Sequence, residues 1–169
     1  KRALITCLVA AATVLPTFGA GSPPITSPES AAKKTSKEEK PAVKPYNEGV
    51  ELMKQKRFAQ AQTKFEEAVK MDPKFAEAYN NLAFTLRKQG PANNQQSLTF
   101  YNKAIQLKPK LAEAYMYRGV LYSQMGRKAD AEADLATLKK LDSRLAKELE
   151  EYFKTGKEED TLYGTAKEK

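Results

Sequence analysis

The sequence predicts an all-α fold, three helix hairpins stacked on one another and closed by a seventh helix. Three observations predict it. The stretch "MDPKFAEAY" (Met71–Tyr79) returns about 36 residues later as "LKPKLAEAY" (Leu107–Tyr115), which marks a repeated supersecondary unit. Apolar and small residues recur at steps of three and four, as on one face of a helix. No part of Ala42–Gly156 shows convincing two-residue alternation of the kind a half-buried strand requires.

The elements follow in order. The first helices of the three hairpins run about Tyr46–Lys54, Ala76–Lys88 and Ala112–Gln124. The second helix of the first hairpin is read from Phe58, Ala61, Phe65, Ala68 and Val69, which share one face. Leu98, Tyr101, Ala104 and Ile105 repeat the pattern, then Leu135, Leu138 and Leu141. Breaks fall at Lys56-Arg57, Gly90-Pro91 and Gly126-Arg127 inside the units, and at Asp72-Pro73 and Lys108-Pro109 between them. Proline lacks the amide that would continue the preceding helix. A further helix opens with Ser143 as its N-cap, carries Leu145, Leu149, Tyr152 and Phe153 on one stripe, and stops at Gly156.

The flanks differ in composition. Lys1-Arg2 followed by "ALITCLVAAATVL" (Ala3–Leu15), Pro16 and small residues reads as a secretory signal peptide over 1–20. The run opens at Lys1, and we expect a starting residue ahead of it. At 13 residues the run falls short of the roughly 20 that span a bilayer. Residues 21–41, rich in Pro, Ser, Lys and Glu, read as a disordered linker, and 157–169 as a polar tail. Cys7 lies inside the signal, so the mature chain carries no cysteine and pairs no disulfide.

The repeat resembles the tetratricopeptide repeat (TPR), normally 34 residues per unit. With units at about 42–75, 76–111 and 112–145 and a capping helix at about 144–155, the chain carries small residues Gly49, Ala83 and Gly119 at one position of the first helix. Leu52, Leu86 and Tyr122 follow as its core residues. The second helices align Ala61, Ser97 and Ala131, then Phe65, Tyr101 and Leu135, then Ala68, Ala104 and Leu138. Pro73 and Pro109 close two units, and Ser143 replaces the proline in the third. Small side chains let helices approach to the near end of the 8–10 Å packing range, and large neighbours fill the rest. Unit two is longer by two residues, placed in "GPANNQQ" between its helices, where a longer loop costs little. The resemblance implies a right-handed superhelical solenoid over 42–156 and a Leu138 packed on the cap.

The resemblance also implies where function sits: a concave groove lined by the first helices, binding a peptide or a partner's helix. Its residues here would be Tyr46, Asn47, Val50, Met53 and Lys54 of unit one. Unit two would add Glu77, Asn80, Asn81, Phe84, Arg87 and Lys88, and unit three Glu113, Met116, Tyr117, Val120 and Gln124. Tyr79 and Tyr115 hold core positions; Phe84 and Tyr117 suit packing and partner contact equally, and should face the same concave surface from adjacent first helices. One TPR subclass grips the acidic C-termini of cytosolic chaperones with a Lys/Asn/Asn/Lys/Arg clamp. Those positions hold Tyr46, Val50, Asn81, Glu113 and Tyr117, of which only Asn81 matches, so that activity is not expected.

Chemistry is restricted by composition. With no histidine and one cysteine, His-based triads, Cys–His dyads and His-bearing zinc sites are excluded. Glu66-Glu67 and Glu158-Glu159 are chain neighbours that diverge on a helix and read as solvated surface. No enzyme activity, cofactor or metal is expected. Lys and Arg exceed Asp and Glu by 29 to 21, a net charge of +8, but the signs are interspersed and no nucleic-acid motif appears. The charge suits an acidic protein partner or a weak contact with an anionic envelope surface. The expectation is a non-enzymatic interaction scaffold, periplasmic or secreted, with a permanent structural subunit of an envelope or multiprotein assembly as the alternative.

Overall fold

The structure is a computed structural model, and residues 40–158 of it are described here. The expected signal peptide, most of the expected linker, and residues 159–169 of the expected tail lie outside that range. Among the described residues there are seven α-helices and no strand: α1 (Val43–Lys54), α2 (Phe58–Met71), α3 (Ala76–Lys88), α4 (Asn94–Leu107), α5 (Ala112–Gln124), α6 (Lys128–Leu141) and α7 (Ser143–Thr155). Two of the first helices, α3 and α5, have the limits that the repeat predicts. The third, α1, starts three residues before Tyr46 because Pro45 occupies its first turn, where a missing amide leaves no helix bond unmade. Among the described residues, no helix is long and apolar enough to cross a membrane.

Each unit turns its corner at the same position, occupied by Lys56, Gly90 and Gly126, all with positive φ (59°, 124° and 72°). In units one and three the turn closes with paired bonds. Lys56 N–H donates to Met53 O and Arg57 N–H to Leu52 O; Gly126 N–H donates to Ser123 O and Arg127 N–H to Tyr122 O. This is the Schellman pattern, which satisfies two of the last carbonyls of the helix. In unit two the residue after Gly90 is Pro91, which has no N–H to give. The second bond is lost, the chain exits in another direction, and Pro91–Asn93 forms one 3-10 turn before α4.

The apolar faces meet as the spacing requires. Ala61, Phe65 and Ala68 of α2 and Tyr101 and Ala104 of α4 are completely buried, as is Leu138 of α6, whereas Leu135 is half-buried. Ser97 keeps its place in the core because its hydroxyl donates to Ala83 O at 2.6 Å. The small positions are needed. A Cβ on Gly49 would lie 2.8 Å from the Phe65 ring, and one on Gly119 would lie 2.7 Å from a Leu149 methyl.

The cap is confirmed in kind and corrected in one residue. Helix α7 packs on α5 and α6 and buries Leu145, Leu149 and Tyr152. Its N-cap is Asp142, not Ser143: the Asp142 carboxylate accepts from the amides of Arg144 and Leu145 at 2.9 and 3.1 Å. Asp142 is the residue left extended (φ −154°, ψ 103°), which an N-cap requires, and Ser143 is already helical.

Curvature follows from which helices touch. Along the stack α1 meets α3, α3 meets α5 and α5 meets α7, while α2 does not meet α4 and α4 does not meet α6. The first helices crowd together and the second helices spread apart. The solenoid therefore curves with α1, α3, α5 and α7 on its inner, concave side.

Candidate functional site: the concave face

Helix α3 forms the middle of the concave wall and is buried at Asn80, Asn81, Phe84 and Arg87, four residues that also step along one helical face. The Asn80 amide donates to Asn81 Oδ1, and the Asn81 amide donates to the Tyr46 hydroxyl of α1, both at 3.2 Å. This chain of amides and hydroxyl ties unit one to unit two. Tyr46 packs on Phe75, with ring centroids 4.6 Å apart, and on Phe65 at 5.7 Å. Burial pushes its hydroxyl well above the ordinary tyrosine range, and the nearby Glu77 carboxylate adds to this.

Phe84 of α3 and Tyr117 of α5 meet edge to face at 4.9 Å. They lie on adjacent first helices, as the repeat predicts. Both are 3% exposed, as closely packed as Leu86 at 2%, so each ring belongs to the contact between units as well as to the inner wall. Two cations flank Phe84: the Arg87 guanidinium 5.2 Å and the Lys88 ammonium 5.3 Å from its ring centre. The Tyr117 hydroxyl, Asn80 Oδ1 and Arg87 Nε are buried without a hydrogen-bond partner among the described residues.

The remaining expected residues divide by depth. Val50 and Met53 of α1 and Met116 and Val120 of α5 are in the core, at most 7% exposed. Asn47, Lys54 and Gln124 are exposed, and Glu77 and Glu113 are half-buried. Lys54 pairs with Glu51 at 2.7 Å.

One residue of this face was not legible beforehand. Glu158, read from the sequence as solvated, is only 10% exposed at its side chain. Its carboxylate accepts from Arg87 at 2.5 Å and from Lys88 at 2.8 Å. Burial raises its pKa, and the two cations outweigh burial, so the group lies below the ordinary carboxylate value. Glu66 and Glu67, by contrast, are exposed as expected. Behind this face, Tyr101 of α4 is fully buried in the core, as the repeat implies. Its buried hydroxyl lies beside Arg87, and burial pushes it up to about 12 against the pull of that cation. Away from the groove, Arg118 and Asp134 form a two-point ion pair at 2.6 and 2.9 Å that joins α5 to α6.

Among the described residues, no three His, Cys, Asp or Glu side chains are grouped to hold a metal. The wall consists of aromatic rings, amides and cations, an assortment suited to a peptide's side chains, backbone and carboxylates.

This is a tetratricopeptide-repeat fold. The TPR repeat family model matches residues 49–90 and 93–126. Among curated proteins none matches the sequence. Solved structures share the fold. The Arabidopsis OM64 TPR domain is 24% identical with a TM-score of 0.62, the match covering 69% of this chain and 96% of that one. The first TPR of Spaghetti (RPAP3), bound to the HSP90 peptide SRMEEVD, is 18% identical with a TM-score of 0.60, over 65% and 88% of the two chains. A chain of the CopN–Scc3 complex is 22% identical with a TM-score of 0.57, over 65% and 67%. TPR domains generally mediate protein–protein interaction.

Proposed function

We propose that the chain is a non-enzymatic interaction scaffold, exported from the cytoplasm, whose concave face binds an extended peptide or a partner's helix. The observation that carries this is the inner wall of α3 and α5. It pairs two aromatic rings with buried polar atoms, Asn80 Oδ1 and the Tyr117 hydroxyl, that lack partners. Buried polar groups are nearly always hydrogen-bonded, and a small opening of the wall on binding would let a peptide backbone supply the missing donors and acceptors. The first TPR of Spaghetti, of the same fold, is bound to a peptide, which supports this reading. The excess of 29 basic over 21 acidic residues, a net charge of +8, favours an acidic partner.

The test is selection of peptides from a random display library on the full chain, with binding mapped by NMR. The expected result is movement of Asn80, Asn81 and Tyr117 signals, and affinity about tenfold weaker for Asn80→Ala, equivalent to one hydrogen bond. Ligands that move only α2, α4 and α6 would place binding on the convex side and end the proposal.

A further inference from the structure

The concave wall already holds one carboxylate, and it belongs to the chain itself. Arg87 and Lys88 close α3, and each takes one oxygen of Glu158: the guanidinium donates to Oε1 and the ammonium to Oε2. Charge-assisted bonds of this kind are about twice as strong as neutral ones. The Phe84 ring lies against both cations. Among the described residues neither cation has a second acidic partner, so two positive charges share one negative charge.

The two sides of this contact are held differently. Arg87 is fixed within α3, and its side chain is 2% exposed. Glu158 sits on no helix. Helix α7 ends at Thr155, Gly156 turns the chain out with a φ of 67°, and residues 155–157 are exposed. A Cβ on Gly156 would meet nothing within 4 Å. Among the described residues, the one hydrogen bond that ties Lys157 is local, from its N–H to Thr155 Oγ1. Rotation at 156–157 therefore carries Glu158 off the wall without moving a packed side chain. The receptor is rigid and its occupant is not.

We infer that Arg87 and Lys88 form the seat for an acidic side chain of the peptide partner, and that Glu158 is the built-in carboxylate which that side chain displaces. This rests on the reading of the concave face as a peptide groove, and it names the chemistry of the partner: a Glu or Asp opposite the end of α3. The seat is separate from the chaperone-clamp positions, which hold Tyr46, Val50, Asn81, Glu113 and Tyr117. A buried guanidinium left without a counter-charge is costly, so Glu158 gives way to another carboxylate and not to a neutral side chain. The exchange keeps the number of ion pairs and makes the seat selective for charge. Glu158 also sets the apparent affinity: an occupant seated in more than about nine chains in ten weakens binding at least about tenfold.

The experiment compares the full chain with its Glu158→Ala variant, which empties the seat and leaves every helix intact. The probes are fluorescein-labelled hexaglutamate and hexaglutamine, both amidated at the C-terminus, in salt of about 0.15 M to screen distant charges. Hexaglutamate should bind Glu158→Ala at least about tenfold more tightly than the unaltered chain, and it should raise the Tm of the variant more. Hexaglutamine should not distinguish the two. Glu158→Ala/Lys88→Gln, which changes a partly exposed side chain, should lose the gain. In ¹⁵N spectra of Glu158→Ala, hexaglutamate should move the amides of Phe84 and Lys88. Equal hexaglutamate affinity for both proteins would overturn the inference and leave Glu158 as a clasp on the cap; so would no binding to either. A gain that survives Lys88→Gln would overturn it as well, since net charge alone would then account for it. If in those cases the shifts still fall on Asn80, Asn81 and Tyr117, the groove stands as a peptide site without this seat. Shifts confined to α2, α4 and α6 would remove both readings.

Discussion

Gly49→Ala tests whether close helix approach sets this fold. The new Cβ would lie 2.8 Å from Phe65 Cε1 and 3.0 Å from both Cδ1 and Cζ. Carbon atoms in favourable contact are about 3.5–4.0 Å apart, so the overlap is roughly 0.5–1 Å against three atoms of one ring. The ring has no room to retreat: Phe65 is completely buried and Tyr46 lies against it. Overpacking of this kind costs about 2–3 kcal/mol, at the upper end of the usual range. Alanine returns about 1 kcal/mol through its higher helix propensity. The expected net loss is about 1–2 kcal/mol. For a domain of this size that lowers Tm by about 4–8 °C, measured by circular dichroism. Gly119→Ala is the comparison, because its nearest neighbour is the end of the Leu149 side chain, which can rotate, so its loss should be smaller. Adding Phe65→Leu to Gly49→Ala should recover part of the loss. The double variant should be less destabilised than the sum of the singles by about 1 kcal/mol. A Gly49→Ala protein that melts higher than the unaltered chain, or a cycle with no coupling, would refute the reasoning.

Asp142→Ala should destabilise the protein by about 1 kcal/mol, because two amides of α7 lose their acceptor, whereas Ser143→Ala should change little; urea denaturation of the two variants side by side checks this. Glu158 has a lowered folded pKa, so its stabilisation is complete above the unfolded value and is lost as pH falls from about 4.5 through the lower folded value. The Tm difference between the unaltered chain and Glu158→Gln should therefore be constant near neutral pH and vanish in acid; a difference that grows on acidification would have the wrong sign.

The sequence by itself determined the periodic part of this protein. The limits of α3 and α5, the corner position shared by Lys56, Gly90 and Gly126, and the need for small residues at Gly49, Ala83 and Gly119 are written in neighbours three, four and about 35 residues apart. Such features are local or repeated, so spacing alone reveals them. Even where α7 begins was readable to within one residue, and the error between Ser143 and Asp142 was a matter of which backbone stays extended.

Tertiary structure decided what the concave wall presents. Phe84 and Tyr117 sit on facing first helices, but only packing made them as buried as Leu86. Glu158 lies past the last periodic residue, and no local pattern connects it to Arg87, 71 residues earlier. A helix period records which side chains share a face. Whether that face meets solvent, another helix or a carboxylate from far along the chain depends on where the stack curves and where the chain leaves its last helix.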